Sequence, residues 1–325
     1  MQIKKINPNL FSIVDTLNKG GYHDGISLGK PLGITRAAVC KLIKKLKDYN
    51  VKIDSIKNKG YALREPFILL DKSKIKQYCK NSDIDIDIFE SLPSTNDYLK
   101  LQKHLIEPTV YLAEQQTHGR GRLNRHWYSP FGQNIYFSCL YYLEKDVSEL
   151  AGLSLIISLA VAHLLKQYHL SNIQIKWPND VLYKGSKLSG NLIDVEAETC
   201  GLCRIIIGIG ININMLNDER RNITQKWTSL REISQQYIDR NQTCAQLIEI
   251  LIVYLKKFAI HGLGIFMDEW KSIDLLMNKT ITLKCGAQEF TGRVMGINHL
   301  GNLLVEVSPG IIKKFSSGEA SIVKN

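Results

Sequence analysis

Two stretches near the start of the chain repeat one apolar spacing. Leu10, Ile13, Val14 and Leu17 fall at i, i+3, i+4 and i+7, as do Val39, Leu42, Ile43 and Leu46. Each set makes a single stripe on an α-helix. Between them Leu28, Leu32 and Ile34 flank Gly33, which suits a tight turn between two short helices. Thr35 is a good N-cap for the second of these, and Pro31 shortens the one before it by removing a backbone donor. β-prone runs at 51–56 and 61–63 follow, joined by Lys57-Asn58-Lys59-Gly60, and read as a hairpin. A linking helix is expected over 72–80. Strand patterns then dominate, at 84–89, 110–113, 134–143, 173–176, 180–183, 191–195 and 204–212, with helices at 148–167, 243–257 and 265–272. Short strands at 281–284, 290–297, 303–307 and 311–315, separated by Gly, Asn and Pro turns, close the chain. Strands run together with helices gathered between them, so the class is α+β rather than a strict βαβ alternation. Three domains are expected: a winged helix-turn-helix over 1–66, a mixed-sheet domain over 67–273, and a small β module over 274–325.

Composition narrows the possibilities. The 325 residues are 44% apolar with 8 Pro and 23 Gly, which argues against long disordered or fibrous stretches. The best apolar run, 153–165, is short of a membrane span and is interrupted by Ser154, Ser158 and His163. The first residues lack the apolar core of a secretory signal. A soluble cytoplasmic protein without a membrane partner is expected. The seven cysteines form an odd set that suits a reducing compartment, and the single CxxC, Cys200 and Cys203, has no partner ligands to complete a zinc site.

Charge gives the first functional clue. Residues 1–66 hold thirteen Lys/Arg against five Asp/Glu, whereas the other 259 hold 29 against 26. A basic excess on so small a unit is either a solvated face or the footprint of a polyanion. A helix that opens at Thr35 with Arg36 and small neighbours, carries Lys41, Lys44 and Lys45 off its apolar stripe, and precedes a hairpin with Lys57 and Lys59 favours DNA.

Four loop segments hold the unusual residues of the middle region. Gly119-Arg120-Gly121-Arg122-Leu123-Asn124-Arg125-His126-Trp127 puts three forked cations and an indole on a glycine-bearing loop. Such a loop is suited to close approach to a phosphate or, on the blander reading, to nucleic acid. Lys176-Trp177-Pro178-Asn179-Asp180 reads alone as a packing corner with a polar end. Lys187-Leu188-Ser189-Gly190 is a lone cation opening an apolar strand. Gly208-Ile209-Gly210-Ile211-Asn212-Ile213-Asn214 is no dinucleotide fingerprint, because strand alternation and not a helix surrounds it. Its alternation places Asn212 and Asn214 on one face, where an amide can read a purine edge.

Taken in this order, the four segments resemble the biotin protein ligases, and with the basic winged helix the chain is similar over its whole length to members that double as repressors of the biotin operon. The resemblance implies an SH3-like β-barrel for the 274–325 module and a class II synthetase-like catalytic domain that uses ATP and Mg²⁺, the latter arriving with the nucleotide and not in a dedicated protein cage. It implies that Ser94, Thr95, Asn96 and Gln116 hold biotin, with Arg120, Gly121 and Arg122 closing over biotin and the adenylate phosphate. Lys187 matches the lysine beside the biotin carboxylate, so Lys187, Arg120 and Arg122 are the implied catalytic set. Arg122, Arg125, Trp127, Asn179, Asp180, Asn212 and Trp227 match adenylate-side positions. The implied partners are the biotin carboxyl carrier protein, operator DNA and, once the adenylate is bound, a second copy of the chain. Three positions depart from the family pattern. Asn124 replaces a glycine, Asp194 stands where Glu is common, and Asn191 stands where an apolar residue is usual, which predicts altered packing beside the carboxylate. Two other readings share these features: a biotin-sensing repressor that has lost efficient transfer, and a lipoate or octanoate transferase relative.

Overall fold

The computed structural model describes residues 4–80, 84–103, 105, 108–197, 201–216 and 223–323. The chain begins with a short strand, β1 (Lys4–Lys5), and continues through α1 (Pro8–Leu17), α2 (Gly25–Gly29) and α3 (Arg36–Asp48) to the hairpin β2 (Ile53–Ile56) and β3 (Gly60–Leu63). Both apolar stripes face inward, and Leu10, Ile13, Val14, Leu17, Val39, Ile43 and Leu46 form the core of this unit. Thr35 caps α3 by accepting from Ala38 N. Gly33 takes the left-handed conformation at the turn, and Pro31 sits in a 3₁₀ turn after α2. The sequence pattern does not show β1, which is two residues long and pairs antiparallel with a strand of the central domain.

The middle of the chain contributes α4 (Lys72–Tyr78), β4 (Asp85–Ser91), α5 (Thr95–Lys100), β5 (Thr109–Ala113), β6 (Ile135–Glu144), α6 (Leu153–Lys166), β7 (Ile173–Lys176), β8 (Asp180–Tyr183), β9 (Ser186–Ala197), β10 (Leu202–Ile211), α7 (Leu230–Ser234), α8 (Arg240–His261) and α9 (Met267–Ile273). Its sheet runs β1-β4-β5-β6-β10-β9-β8-β7, with β4 and β5 parallel and every other pair antiparallel. The helix expected from 148 starts later because Gly152 adopts a left-handed conformation (φ 85°), so 147–150 is a separate 3₁₀ turn. That 147–166 stretch is apolar and long enough to cross a bilayer, but α6 is a core helix packed against α8 and the sheet. The last part forms an antiparallel sheet of β11 (Thr280–Cys285), β12 (Gln288–Ile297), β13 (Leu303–Ser308), β14 (Ile311–Phe315) and β15 (Glu319–Ile322), ordered β14-β13-β12-β11-β15. The sequence pattern does not show β15.

The N-terminal unit is fastened to the central one at specific points. Glu90 on β4, 1% exposed, lies 2.6 Å from Lys45 Nζ and accepts a hydrogen bond from Tyr49 Oη at 2.9 Å. The Tyr49 ring stacks on Phe131 at 4.0 Å. Lys45, expected among the DNA-facing lysines, is therefore turned toward the central sheet. A buried carboxylate needs a cation, and Lys45 supplies it. The connecting segment is held as closely. Leu70 N donates to Glu114 Oε1, Arg240 donates to Ile68 O, and Asn241 bonds Leu69 O and Asp71 N.

Candidate functional site

Backbone geometry brings the four segments to one cleft. The α5 helix starts at Ser94, whose side chain caps it by accepting from Asp97 N, and this fixes Thr95 and Asn96 at the sheet surface. Thr95 donates from both its backbone nitrogen (2.9 Å) and its hydroxyl (3.2 Å) to Gln116 Oε1. Gln116 Nε2 donates to Ser129 Oγ, which in turn donates to Trp127 O. Ser138 Oγ, fully buried on β6, sits 2.7 Å from Thr95 Oγ1 and 2.5 Å from Asn96 Oδ1. Asn96 Nδ2 reaches Asp194 Oδ2 at 3.1 Å. Ser138, Ser129 and Asp97 belong to this constellation but carry no local sequence signal, since a serine on an apolar strand and an acid on a helix are common.

Glycines on β10 make the room. An added Cβ at Gly208 would lie 2.3 Å from Asn96 Oδ1, and one at Gly210 would lie 2.5 Å from the Trp127 ring. The glycines that mimic a nucleotide fingerprint therefore serve close side-chain approach across a strand.

The loop over the cleft is pinned by carboxylates outside it. Arg120 pairs with Asp97, and Arg125 pairs with Glu319 on β15. The loop turns at 122–124, where Gly121 N donates to Arg125 O and both Leu123 (φ 54°) and Asn124 (φ 56°) are left-handed. Asn124 thus tolerates the conformation that a glycine would take, as its residue type predicts. Leu123 adopts it at greater steric cost and is 71% exposed.

On the far side Lys187 Nζ lies 2.7 Å from Asp180 Oδ1 and 5.4 Å from the Trp127 ring centroid. Arg122 Nη1 reaches Asn179 Oδ1 at 3.5 Å. Asn212 commits both hydrogens of its amide nitrogen, to Lys187 O and Thr228 O. This leaves a ligand only its Oδ1 as an acceptor. Trp227 lies in the segment that pairs with Lys187, and it lines the cleft with Trp127. The cleft measures about 930 Å³ and is lined by Arg120, Arg122, Arg125, Lys176 and Lys187 against Asp180 and Glu319. Burial pulls the Lys176 ammonium below the ordinary lysine value, with Asp180 and Glu319 opposing and Lys187 and Arg125 adding repulsion. Burial lowers the Arg122 guanidinium likewise, against Asp180 and Glu319. Desolvated cations in excess of carboxylates are most stable with an anion between them. Lys176 lines the cleft beside Asn179 and Asp180 and is not among the site residues expected from the sequence.

Asn191 packs through hydrogen bonds and not apolar contact. Its side chain turns away from the cleft into α6, where its polar atoms contact Ser154 and Ser158, so it replaces apolar packing with hydrogen bonds. Of the expected DNA-facing set, Thr35, Arg36, Lys41, Lys44, Lys57 and Lys59 are exposed, and Lys45 alone is diverted. Cys203 is buried with its thiol 3.1 Å from Lys145 O, while Cys200 lies outside the described residues. Among the described residues no group of three or more His, Cys, Asp or Glu is arranged to hold a metal ion.

The sequence model of the Biotin/lipoate A/B protein ligase family matches residues 88–212, an HTH-domain model matches 9–62, and that of the Biotin protein ligase C terminal domain matches 276–323. The chain is 36% identical over 313 residues to the bifunctional ligase/repressor BirA of Salmonella typhimurium, covering 96% of each chain. It is 35% identical over 320 residues to that of Escherichia coli, covering 98% of each. Among solved structures it is similar to the biotin protein ligase of Aquifex aeolicus in complex with biotin and ATP, at 30% identity and a TM-score of 0.63. That match covers 74% of this chain and 99% of the other.

Proposed function

This chain belongs to the biotin protein ligase family, and from that premise we propose that its cleft joins biotin to AMP and then passes biotin to a lysine of the biotin carboxyl carrier protein. The observation that carries this is the cleft's division into two chemistries. One end holds the uncharged donors and acceptors of Ser94, Thr95, Asn96 and Gln116, suited to a urea ring with two N–H groups and one carbonyl. The other end gathers Arg122, Lys176 and Lys187, suited to a carboxylate and phosphates. A dithiolane ring has no use for the first end, which favours biotin over lipoate.

Two anions must approach for a carboxylate oxygen to attack the α-phosphorus and release pyrophosphate. Lys187 fixes the carboxylate, and the loop arginines offset the phosphate charge. Arg120 and Gly121 close the loop over the product, a mixed anhydride that water would destroy, and Trp127 and Trp227 cover it. Asn212 Oδ1 accepts from the exocyclic amine of adenine. Asp180 with Asn179 would hold a Mg²⁺ ion that arrives with ATP, and such an ion would supply charge neutralisation at the phosphates. The carrier's lysine amine then attacks the carbonyl, and AMP leaves. On the same reading the protein is cytoplasmic. The adenylate-bound form pairs with a second copy, and the exposed basic residues of α3 and the hairpin grip operator DNA.

Incubation with biotin, MgATP and a carrier domain is expected to yield amide-linked biotin, AMP and pyrophosphate. Adenylate without transfer would identify a sensing repressor instead, and lipoate transferred in preference to biotin would identify the transferase relative. Gly208→Ala checks the neutral end. Its methyl displaces Asn96 from Ser138 and Asp194, and the KM for biotin is expected to rise about a hundredfold, the scale set by a misplaced binding group. A KM for biotin within threefold of the unaltered chain would remove Asn96 from the biotin set.

A further inference from the structure

Asn191 sits where β9 is gripped from both sides. Behind the strand, its Nδ2 donates to Ser158 Oγ at 2.8 Å and to Ser154 O at 3.2 Å, while Ser158 Oγ donates to Ser154 O at 3.0 Å. Ser154 Oγ lies 3.0 Å from both Asn191 Oδ1 and Pro178 O, so its single proton is shared between the strand and the 177–180 turn. In front, Asn191 N donates to Asn179 O, and Asn191 O accepts from Asn179 Nδ2 at 2.7 Å. The chain of contacts continues from Asn179 Oδ1 to Arg122, and the neighbouring Asp180, paired in register with Gly190, holds Lys187. The side chain is 5% exposed.

We infer that Asn191 is a positioning residue for the anion-binding end of the cleft. It references Asn179, Asp180 and the loop arginine Arg122 to the rigid helix α6. The inference rests on the ligase reading above, in which that end receives the nucleotide. An aliphatic side chain fills the space and leaves the backbone bonds to Asn179 in place, but it holds neither the Ser154 carbonyl nor the Ser158 hydroxyl, so the strand and the turn it carries are tied to α6 only through Ser154 Oγ and Pro178 O. The neutral end is less affected: Thr95 and Gln116 take their positions from α5, β6 and the 129 region, and Asn96, which also touches β9 at Leu192 O and Asp194 Oδ2, keeps its bond from Ser138.

The test is biotin-dependent ATP–pyrophosphate exchange, with KM measured for each substrate and a thermal midpoint measured for each protein. Asn191→Leu is expected to raise the KM for ATP about tenfold, as a displaced positioning group does, while the KM for biotin stays within twofold. The double variant Asn191→Leu/Ser158→Ala removes the hydroxyl left without its donor and is expected to recover thermal stability while keeping the raised KM for ATP. If the KM for ATP returns with the stability, or stays within twofold in both variants, or if both KM values move together, Asn191 is only a packing residue. Should the single variant not fold, the double variant is scored alone by the same criterion. The unaltered chain, run alongside, scores the ligase reading separately: no biotin-dependent exchange there overturns both, whereas normal exchange there with unmoved variants overturns only this inference.

Discussion

Lys187→Ala is expected to lower biotin-dependent ATP–pyrophosphate exchange by about 10²–10³-fold, the range for removing one preorganised electrostatic group from a reacting centre. The substitution does two things at once. On the proposed reaction, it removes the cation that brings the biotin carboxylate toward the α-phosphorus. It also frees Asp180, which lies 2.7 Å from Lys187 Nζ, to face the cleft as an unbalanced negative charge. Both effects oppose the approach of two anions, so a loss larger than that of a lone surface lysine is expected. Folding is barely affected, because the pair keeps contact with solvent and its loss costs about 1 kcal/mol, or roughly 2–4 °C in a chain of this size. Exchange within tenfold of the unaltered chain, in a protein whose thermal midpoint is preserved, would remove Lys187 from the reaction.

Glu114→Ala has the largest expected effect on stability. Glu114 and Arg240 are both fully buried, with Nη2 2.7 Å from Oε2. The guanidinium also donates to Asn134 O and Ile68 O, and the carboxylate accepts from Leu70 N. Removing the acid strands a cation in the core, which costs about 3–5 kcal/mol and is expected to lower the thermal midpoint by roughly 10 °C. Joint replacement, Glu114→Leu with Arg240→Met, removes both charges and is expected to recover much of that loss, since an apolar pair of similar volume often matches a buried ion pair. A midpoint within 3 °C of the unaltered protein after Glu114→Ala would show that water reaches the site. A double variant no better than the single one would place the cost in the lost backbone contacts.

The parts of the molecule legible in the sequence are those whose signal is local. The apolar stripes of α1 and α3, the Thr35 cap and the loop rich in arginine and glycine each declare themselves within a dozen residues. The elements missed are short or depend on distant partners. β1 has two residues, too few for any periodicity, and exists because β4 offers an open edge. β15 has four, and its importance lies in Glu319, which reaches Arg125 from the far end of the chain. Ser129 and Ser138 join the hydrogen-bond network behind the cleft only when folding brings them to Gln116 and Asn96. Lys45 shows the opposite failure. Composition alone makes it one basic residue among several on its helix, and only the buried carboxylate at Glu90 separates it from its neighbours. Asn191 looked like a defect in an apolar strand because its acceptors on α6 lie 33 and 37 residues away.

The fastening of α3 to Glu90 and Phe131 also bears on how the protein meets a duplex. A reading head bolted to its chassis has no swivel. If two copies engage one stretch of DNA, as proposed above, the angle between their heads is set by how the chassis meet and not by slack in a tether. Inserting a single base pair at the centre of a palindrome turns one half by about 34° around the axis. On that proposal neither head follows the turn, and the spacing of the two halves is expected to matter as strictly as their letters.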